Sequence, residues 1–498
     1  MNKMPKHTAN LALITLLSMP AMIVSASDSP LADAAQRQQS DIVGRLLEQS
    51  SDVDAPQVDA MTALHWAVYH ADVAMAKLLV DAGANTNAAN RYGVTPLSLA
   101  CLSGEPAVVE MLLDAGADPT VNLPGGETTL MTAARTGRLG PVRALLDRGV
   151  DVDASLPGGQ TALMWAAAEG HVEVVDALIE AGADFLAQTA TGFTPLFFAV
   201  REGRIGVVRR LIAAGVDIND GMQPKKRVRK GPTEGISPLI LAVENGHFEL
   251  AVVLLQAGAD ANDQRSGYTA LHTLTWVRKP KRGDDDDGDP SPTGSGKLTS
   301  LQFVTELARF DVDLNARLKR GPAGRGRLSK VGATPFLMAC ETADLPLLQL
   351  LVQLGADPSI ANADHCTPLM AAAGIGQDGR GEEAATEDEA LQVVEYLLAL
   401  GADVNAVDQH GQTAMHGAAY KSVPRIVHLL AQRGADIAIW NRANRFGWTP
   451  LHLAHGYRPG NFKPSPETIE ALEQVMLAAG VTPPESIVPP AAPDQYAK

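Results

Sequence analysis

Apolar residues along this chain recur in paired helical stripes separated by glycine. The stretch 161–184, TALMWAAAEGHVEVVDALIEAGAD, shows the unit most clearly. An Ala-rich run after Thr161 predicts a first helix, capped by the threonine hydroxyl and ended at Gly170, the residue that best tolerates a left-handed turn. A second helix opens at His171. There Val174, Val175, Leu178 and Ile179 share one face, and Gly182 closes it. A single helix pair of this size leaves its apolar face bare, so it needs a copy of itself on either side.

The copies are present. The capping threonine recurs as Thr62, Thr95, Thr128, Thr161 and Thr194, then as Ser237, Thr269, Thr334, Thr367, Thr413 and Thr449 with altered spacing. The closing glycine recurs as Gly83, Gly116, Gly149, Gly182, Gly215, Gly258, Gly355, Gly401, Gly434 and Gly480, with Asp311 as the exception. Proline after the threonine suits the first helical position, where no N–H is needed. Such units stack into a repeat array in which each copy touches only its neighbours.

Thr95-Pro96-Leu97, Thr194-Pro195-Leu196, Thr367-Pro368-Leu369 and Thr449-Pro450-Leu451-His452-Leu453-Ala454, at a period of 33 over the first five copies, resemble the ankyrin repeat. The resemblance runs from about Asp59 to Gly480. It implies an all-α ankyrin-repeat solenoid of about eleven helix-turn-helix repeats, with short β-turn or hairpin connections and terminal caps. It also implies a structural hydrogen bond for His65, His272, His416 and His452 near their helix starts, and partner binding through the turn tips and the concave face of the first helices.

The remaining organisation follows from departures from the period. Residues 1–26 read as an export signal: Lys3 and Lys6, an apolar run from Leu11 to Val24, and small residues ending at Ala26. The run is shorter than the ~20 residues that span a bilayer, and no later stretch is apolar enough to do so. A periplasmic or secreted protein is expected. Residues 27–58 predict an N-terminal cap of two helices, 59–218 repeats 1–5, and 219–480 repeats 6–11. Insertions fall near 221–236, 278–297, 317–332, 374–388 and 457–466, and a Pro/Ala-rich tail covers 481–498, expected to be disordered.

Composition adds little that conflicts. Apolar residues make up 46% of the chain but aromatics only 4%, as expected when stacking relies on Ala, Leu and Val. A net charge of −16 favours solubility and argues against general nucleic-acid binding. Of the three cysteines, Cys101 and Cys340 share one buried repeat position six repeats apart, too far for a disulfide. They read as core thiols; Cys340 and Cys366, in adjacent repeats, leave one pairing open.

Candidate binding residues come from the partner-facing positions that the resemblance implies. Tyr69, Tyr92, Tyr268, Trp276, Tyr420, Trp448 and Tyr457 occupy them, more than half of the chain's five Trp and seven Tyr, together with Phe193 and Phe446. Trp, Tyr and Arg dominate binding hot spots. The candidate partner-binding residues are Tyr268, Trp276, Tyr420, Lys421, Arg445, Phe446, Trp448 and Tyr457, and the C-terminal set from Tyr420 to Tyr457 is densest. The alternative for Phe446 and Trp448 is end-cap packing. Two insertions form basic fingers, one with Lys225, Lys226, Arg227, Arg229 and Lys230, the other with Arg317, Lys319, Arg320, Arg325, Arg327 and Lys330. They suggest a polyanion or anionic-surface site, or simply solvated loops.

Catalysis has no sequence support. There is no phosphate-binding glycine loop, nucleophile elbow or HExxH. His452 and His455 offer only two ligands, and the run Asp284 to Asp287 lacks calcium-loop spacing. The expectation is a non-catalytic, monomeric protein–protein interaction scaffold without metal or cofactor, its partner another protein. A secreted, host-directed effector is the further alternative.

Overall fold

The computed structural model describes residues 29–225, 234–279, 291–319, 328–375, 385–457 and 463–487. The residues read as an export signal, the centres of both basic fingers and of the other insertions, and the end of the tail lie outside these. Among the described residues there are 25 α-helices and one short 3-10 helix. The chain divides into two compact units, one of residues 1–217 and 222–234, the other of residues 218–221 and 235–498.

In the first unit, helices Pro30–Gln36 and Ser40–Glu48 form the expected N-terminal pair. Five repeats follow, each with an inner and an outer helix. The inner helix of repeat 2 shows how the sequence makes it. Thr95 Oγ1 accepts the Ser98 N–H at 3.2 Å, Pro96 occupies the first turn, and Gly104 ends the helix at φ +76°. Its apolar side, Leu97, Ala100 and Cys101, is buried. Within the unit, each inner helix packs on the inner helices beside it and on its own outer helix, so a helix with hardly any polar face is stable only inside the stack.

The second unit repeats this arrangement six times. Asp311, standing where the other repeats have glycine, adopts φ +53°; a short polar side chain tolerates that region better than most. The interruption at 278–297 separates helices Ala270–Arg278 and Ser300–Leu307 of repeat 7. The one at 374–388 separates Pro368–Ala373 from Glu387–Ala399 of repeat 9.

The roots of these two insertions are tied together. Arg278 forms a forked pair with the buried Asp344, Nε to Oδ2 at 2.6 Å and Nη2 to Oδ1 at 2.9 Å. The neighbouring Lys279 donates to Glu389 at 2.7 Å and to the Ala343 carbonyl at 3.1 Å. Glu389 in turn closes a capping box with Thr386. On the return side, the Ser295 N–H donates to His247 Nδ1 at 2.8 Å, and the Lys297 N–H to Glu249 at 2.6 Å.

Asparagines stitch successive turns within each unit. Asn87 Nδ2 donates to the Gly116 carbonyl at 2.9 Å while its Oδ1 accepts the Asp118 N–H at 2.7 Å. Asn219 does the same with Gly258 and Asp260, and Asn405 with Gly434 and Asp436. Asp153 sits in the equivalent place and, lacking a donor, only accepts, from the Asp184 N–H at 2.9 Å. No helix among the described residues is long and apolar enough to cross a membrane.

Candidate interaction surface

The turn tips of repeats 9 to 11 are built alike. Asn362, Asp408 and Asn444 each turn their Oδ1 onto two backbone N–H groups of their own tip: those of Asp364 and Cys366, His410 and Gln412, Phe446 and Trp448. Such side-chain turns fix the loop locally. Backbone bonds then join tip to tip, from the Gln409 N–H to the Asp364 carbonyl at 3.0 Å and from the Arg445 N–H to the His410 carbonyl at 2.8 Å. Asp364, His410 and Phe446 therefore stand in one row.

That row ends in a stack of aromatic and cationic groups. His410 Nε2 lies 3.2 Å from Asp364 Oδ2, and its ring centroid is 6.4 Å from that of Phe446. Phe446 stacks on Trp448 at 5.1 Å and 26°. The exposed Arg445 guanidinium covers the Phe446 ring at 4.7 Å. Each such contact is worth about 0.5–1.5 kcal/mol, and together they hold the rings in place before any partner arrives.

The other predicted anchors are distributed differently. Tyr268 and Trp276 meet edge to face at 5.3 Å, both half-buried. Tyr457 is half-buried beside His452, with its hydroxyl 3.5 Å from the Ile487 carbonyl. Tyr420 and Lys421 are buried, at 9% and 7% exposure. Lys421 lies against Gly374 of the preceding repeat, where a Cβ would come within 2.5 Å of Lys421 Cβ and 2.7 Å of the Gly417 carbonyl. In the first unit, Tyr69 and Tyr92 are exposed, while Arg201 lies over Phe193 and Phe198 at 5.3 and 5.1 Å.

Four finger cations fall within the described residues. Lys225 and Lys319 are exposed. Arg317 is exposed and donates to the Ala361 carbonyl at 2.6 Å. Lys330 is 3.5 Å from the buried carboxylate of Glu341, so it serves the fold of repeat 8. Lys226, Arg227, Arg229, Lys230, Arg320, Arg325 and Arg327 lie outside the described residues. Lys319 also lines an open polar cleft of about 500 Å³ with Asn219, Asp260, Asn262, Asp263, Gln264 and Arg265, where Arg265 is held by Asp263 at 2.9 and 3.1 Å.

The histidines and thiols carry structural duties. Thr62 donates its N–H to His65 Nδ1 at 3.2 Å, so Nε2 bears the proton and donates to the Val94 carbonyl at 3.0 Å. His272 and His416 repeat this with Ala333 and Arg442. Burial holds all three below the ordinary histidine range, at about 4 for His272 and His416. Cys101, Cys340 and Cys366 are free and buried, which closes the Cys340–Cys366 option. Burial pushes the Cys101 thiol up to about 12 and the other two well above their usual value, and a thiol held protonated is a poor nucleophile. Among the described residues no three His, Cys, Asp or Glu side chains converge as metal ligands.

Comparison with known proteins agrees with this architecture. A model of ankyrin repeats in three copies matches residues 31–123, 130–222 and 383–463, and a single-repeat model matches 234–265. The chain is 34% identical over 145 residues to rat "Ankyrin repeat and SAM domain-containing protein 6", covering 29% of this chain and 14% of that protein. It is 32% identical over 194 residues to mouse "NF-kappa-B inhibitor delta", covering 39% of this chain and 48% of that one. It therefore spans less than half the length of either relative. The crystal structure of the human ASB11 ankyrin repeat domain shares 29% identity, covers 47% of this chain and 99% of its own, and superposes with a TM-score of 0.40. With more than half of its length matched by the repeat model, and with the capped, glycine-closed helix pairs described above, this chain belongs to the ankyrin-repeat family.

Proposed function

We propose that the protein is a non-catalytic scaffold that docks another protein against the inner helices and turn tips of its second unit. Ankyrin repeats bind other proteins, and the observation that carries the reading here is the column Arg445–Phe446–Trp448. Preorganised rings and a guanidinium at an accessible tip are the composition of a binding hot spot. Tyr268 and Trp276 supply a second anchor on repeat 7. The exposed Lys319 would steer an acidic partner on approach. The leader-like sequence Met1–Ala26 points to the cell envelope or beyond as the place where this happens.

A photo-crosslinking side chain placed at 446 tests the docking directly, with one at Leu477, exposed on the last outer helix, as the control. In an extract of the source cells the reading predicts one dominant crosslinked species from 446 and none from 477. Equal labelling at both positions contradicts it.

A further inference from the structure

Position seven after the capping residue lies on the inner helix and runs along one row of the second unit. Its first three occupants are Glu244 in repeat 6, Trp276 in repeat 7 and Glu341 in repeat 8. Successive inner helices pack side by side, so an aromatic ring stands between two carboxylates at helix-packing distances of ~10 Å.

The two acids differ in one respect. Glu341 has its cation within the chain, since Lys330 reaches to 3.5 Å of Oε2. Among the described residues Glu244 Oε2, like Glu341 Oε2, is shielded from solvent without a hydrogen-bond partner, but no described cation lies at ion-pair distance from it. A carboxylate left this way costs free energy that a cation would recover. Burial raises the Glu244 carboxyl above the ordinary range. Beside it, Tyr268 meets Trp276 edge to face at 5.3 Å, fixing the indole of the half-buried Trp276. An indole face attracts cations as well as apolar groups.

We propose that Glu244, Trp276 and Tyr268 form a socket for one basic side chain of the docked protein, an arginine or lysine whose charge meets Glu244 and whose stem or guanidinium lies on the Trp276 ring. This names the partner's chemistry at one point and rests on the docking reading above. Among the described residues a cation reaches the acid at repeat 8 and none reaches the one at repeat 6; that contrast points to a basic group as the occupant.

The probe is N-acetyl-arginine amide, titrated into the full mature chain while tryptophan fluorescence is recorded. N-acetyl-citrulline amide, its neutral isostere, is the control. The expected result is a saturable change with the arginine compound alone, lost in Trp276→Phe and weakened about tenfold in Glu244→Gln, with circular dichroism of both variants unchanged. Glu244→Gln removes a poorly solvated charge and keeps the shape, so it retains the fold. No saturable change, an equal response to citrulline, or an unaltered response in Glu244→Gln overturns the socket. If partner capture survives Glu244→Gln and Trp276→Phe but is lost in Phe446→Ala/Trp448→Ala, the socket falls while docking stands. If neither pair of changes alters capture, both fall.

Discussion

His272 in repeat 7 donates from Nε2 to the carbonyl oxygen of Ala333, 3.1 Å away in space and 61 residues along the chain. Its Nδ1 accepts the Thr269 N–H at 3.3 Å. The ring must be neutral to do both, and burial enforces the same state. The folded value of about 4 lies below the ~6.5 of an unfolded histidine. The unfolded chain therefore binds more protons as pH falls, and stability present above pH ~6.5 is lost between there and pH ~4. At pH 5 the loss is on the order of 2 kcal/mol each for His272 and His416. Urea midpoints at pH 7 and pH 5 measure it. A His272→Asn variant should show a shallower slope across that window.

Asp344 is almost wholly buried and holds both arms of Arg278. Removing one partner of such a pair strands the other charge, at a cost of about 3–5 kcal/mol. Asp344→Ala should lower the thermal midpoint of the second unit markedly. Arg425→Ala should change it little, because the Arg425–Asp388 pair lies in solvent. A comparison of the two melts decides whether the insertion roots are structural anchors.

The asparagine stitches predict a stabilising change. Asp153 accepts one bond where Asn87, Asn219 and Asn405 make two. Asp153→Asn adds a donor facing the Gly182 carbonyl, the equivalent of Gly116, and should gain up to about 1 kcal/mol. Asn219→Asp should lose a similar amount. Chemical denaturation of the two single variants reads opposite signs if the stitches work as described, and the same sign if they do not.

The helices were legible in the sequence because their signals are local. Thr95, Pro96 and Gly104 act within one turn of themselves, and neither the stack nor the insertions alter that. Asp311 was legible as an exception, and its positive φ is what its place required. The long-range partners were not legible. Lys279 finds Glu389 across 110 residues, a pairing set by how repeats 7 to 9 stack over insertions of unrelated length. Counting positions put Tyr420 and Lys421 on the binding row. Both are buried, and Lys421 lies against Gly374, whose missing side chain is a property of the neighbouring repeat. Glu244 escaped notice for the opposite reason: its significance is the cation that repeat 8 has in Lys330 and that no described residue supplies at repeat 6.

The most direct measurement is partner capture by the purified protein, with and without Phe446→Ala/Trp448→Ala, beside circular dichroism of both forms. Docking at the tips predicts that the double variant keeps its helical signal and solubility while capture falls by tenfold or more, as for a pair of about 1–2 kcal/mol hot-spot residues. Loss of helical signal would make the two rings end-cap core, and unchanged capture by a folded variant would remove the binding surface from this part of the molecule.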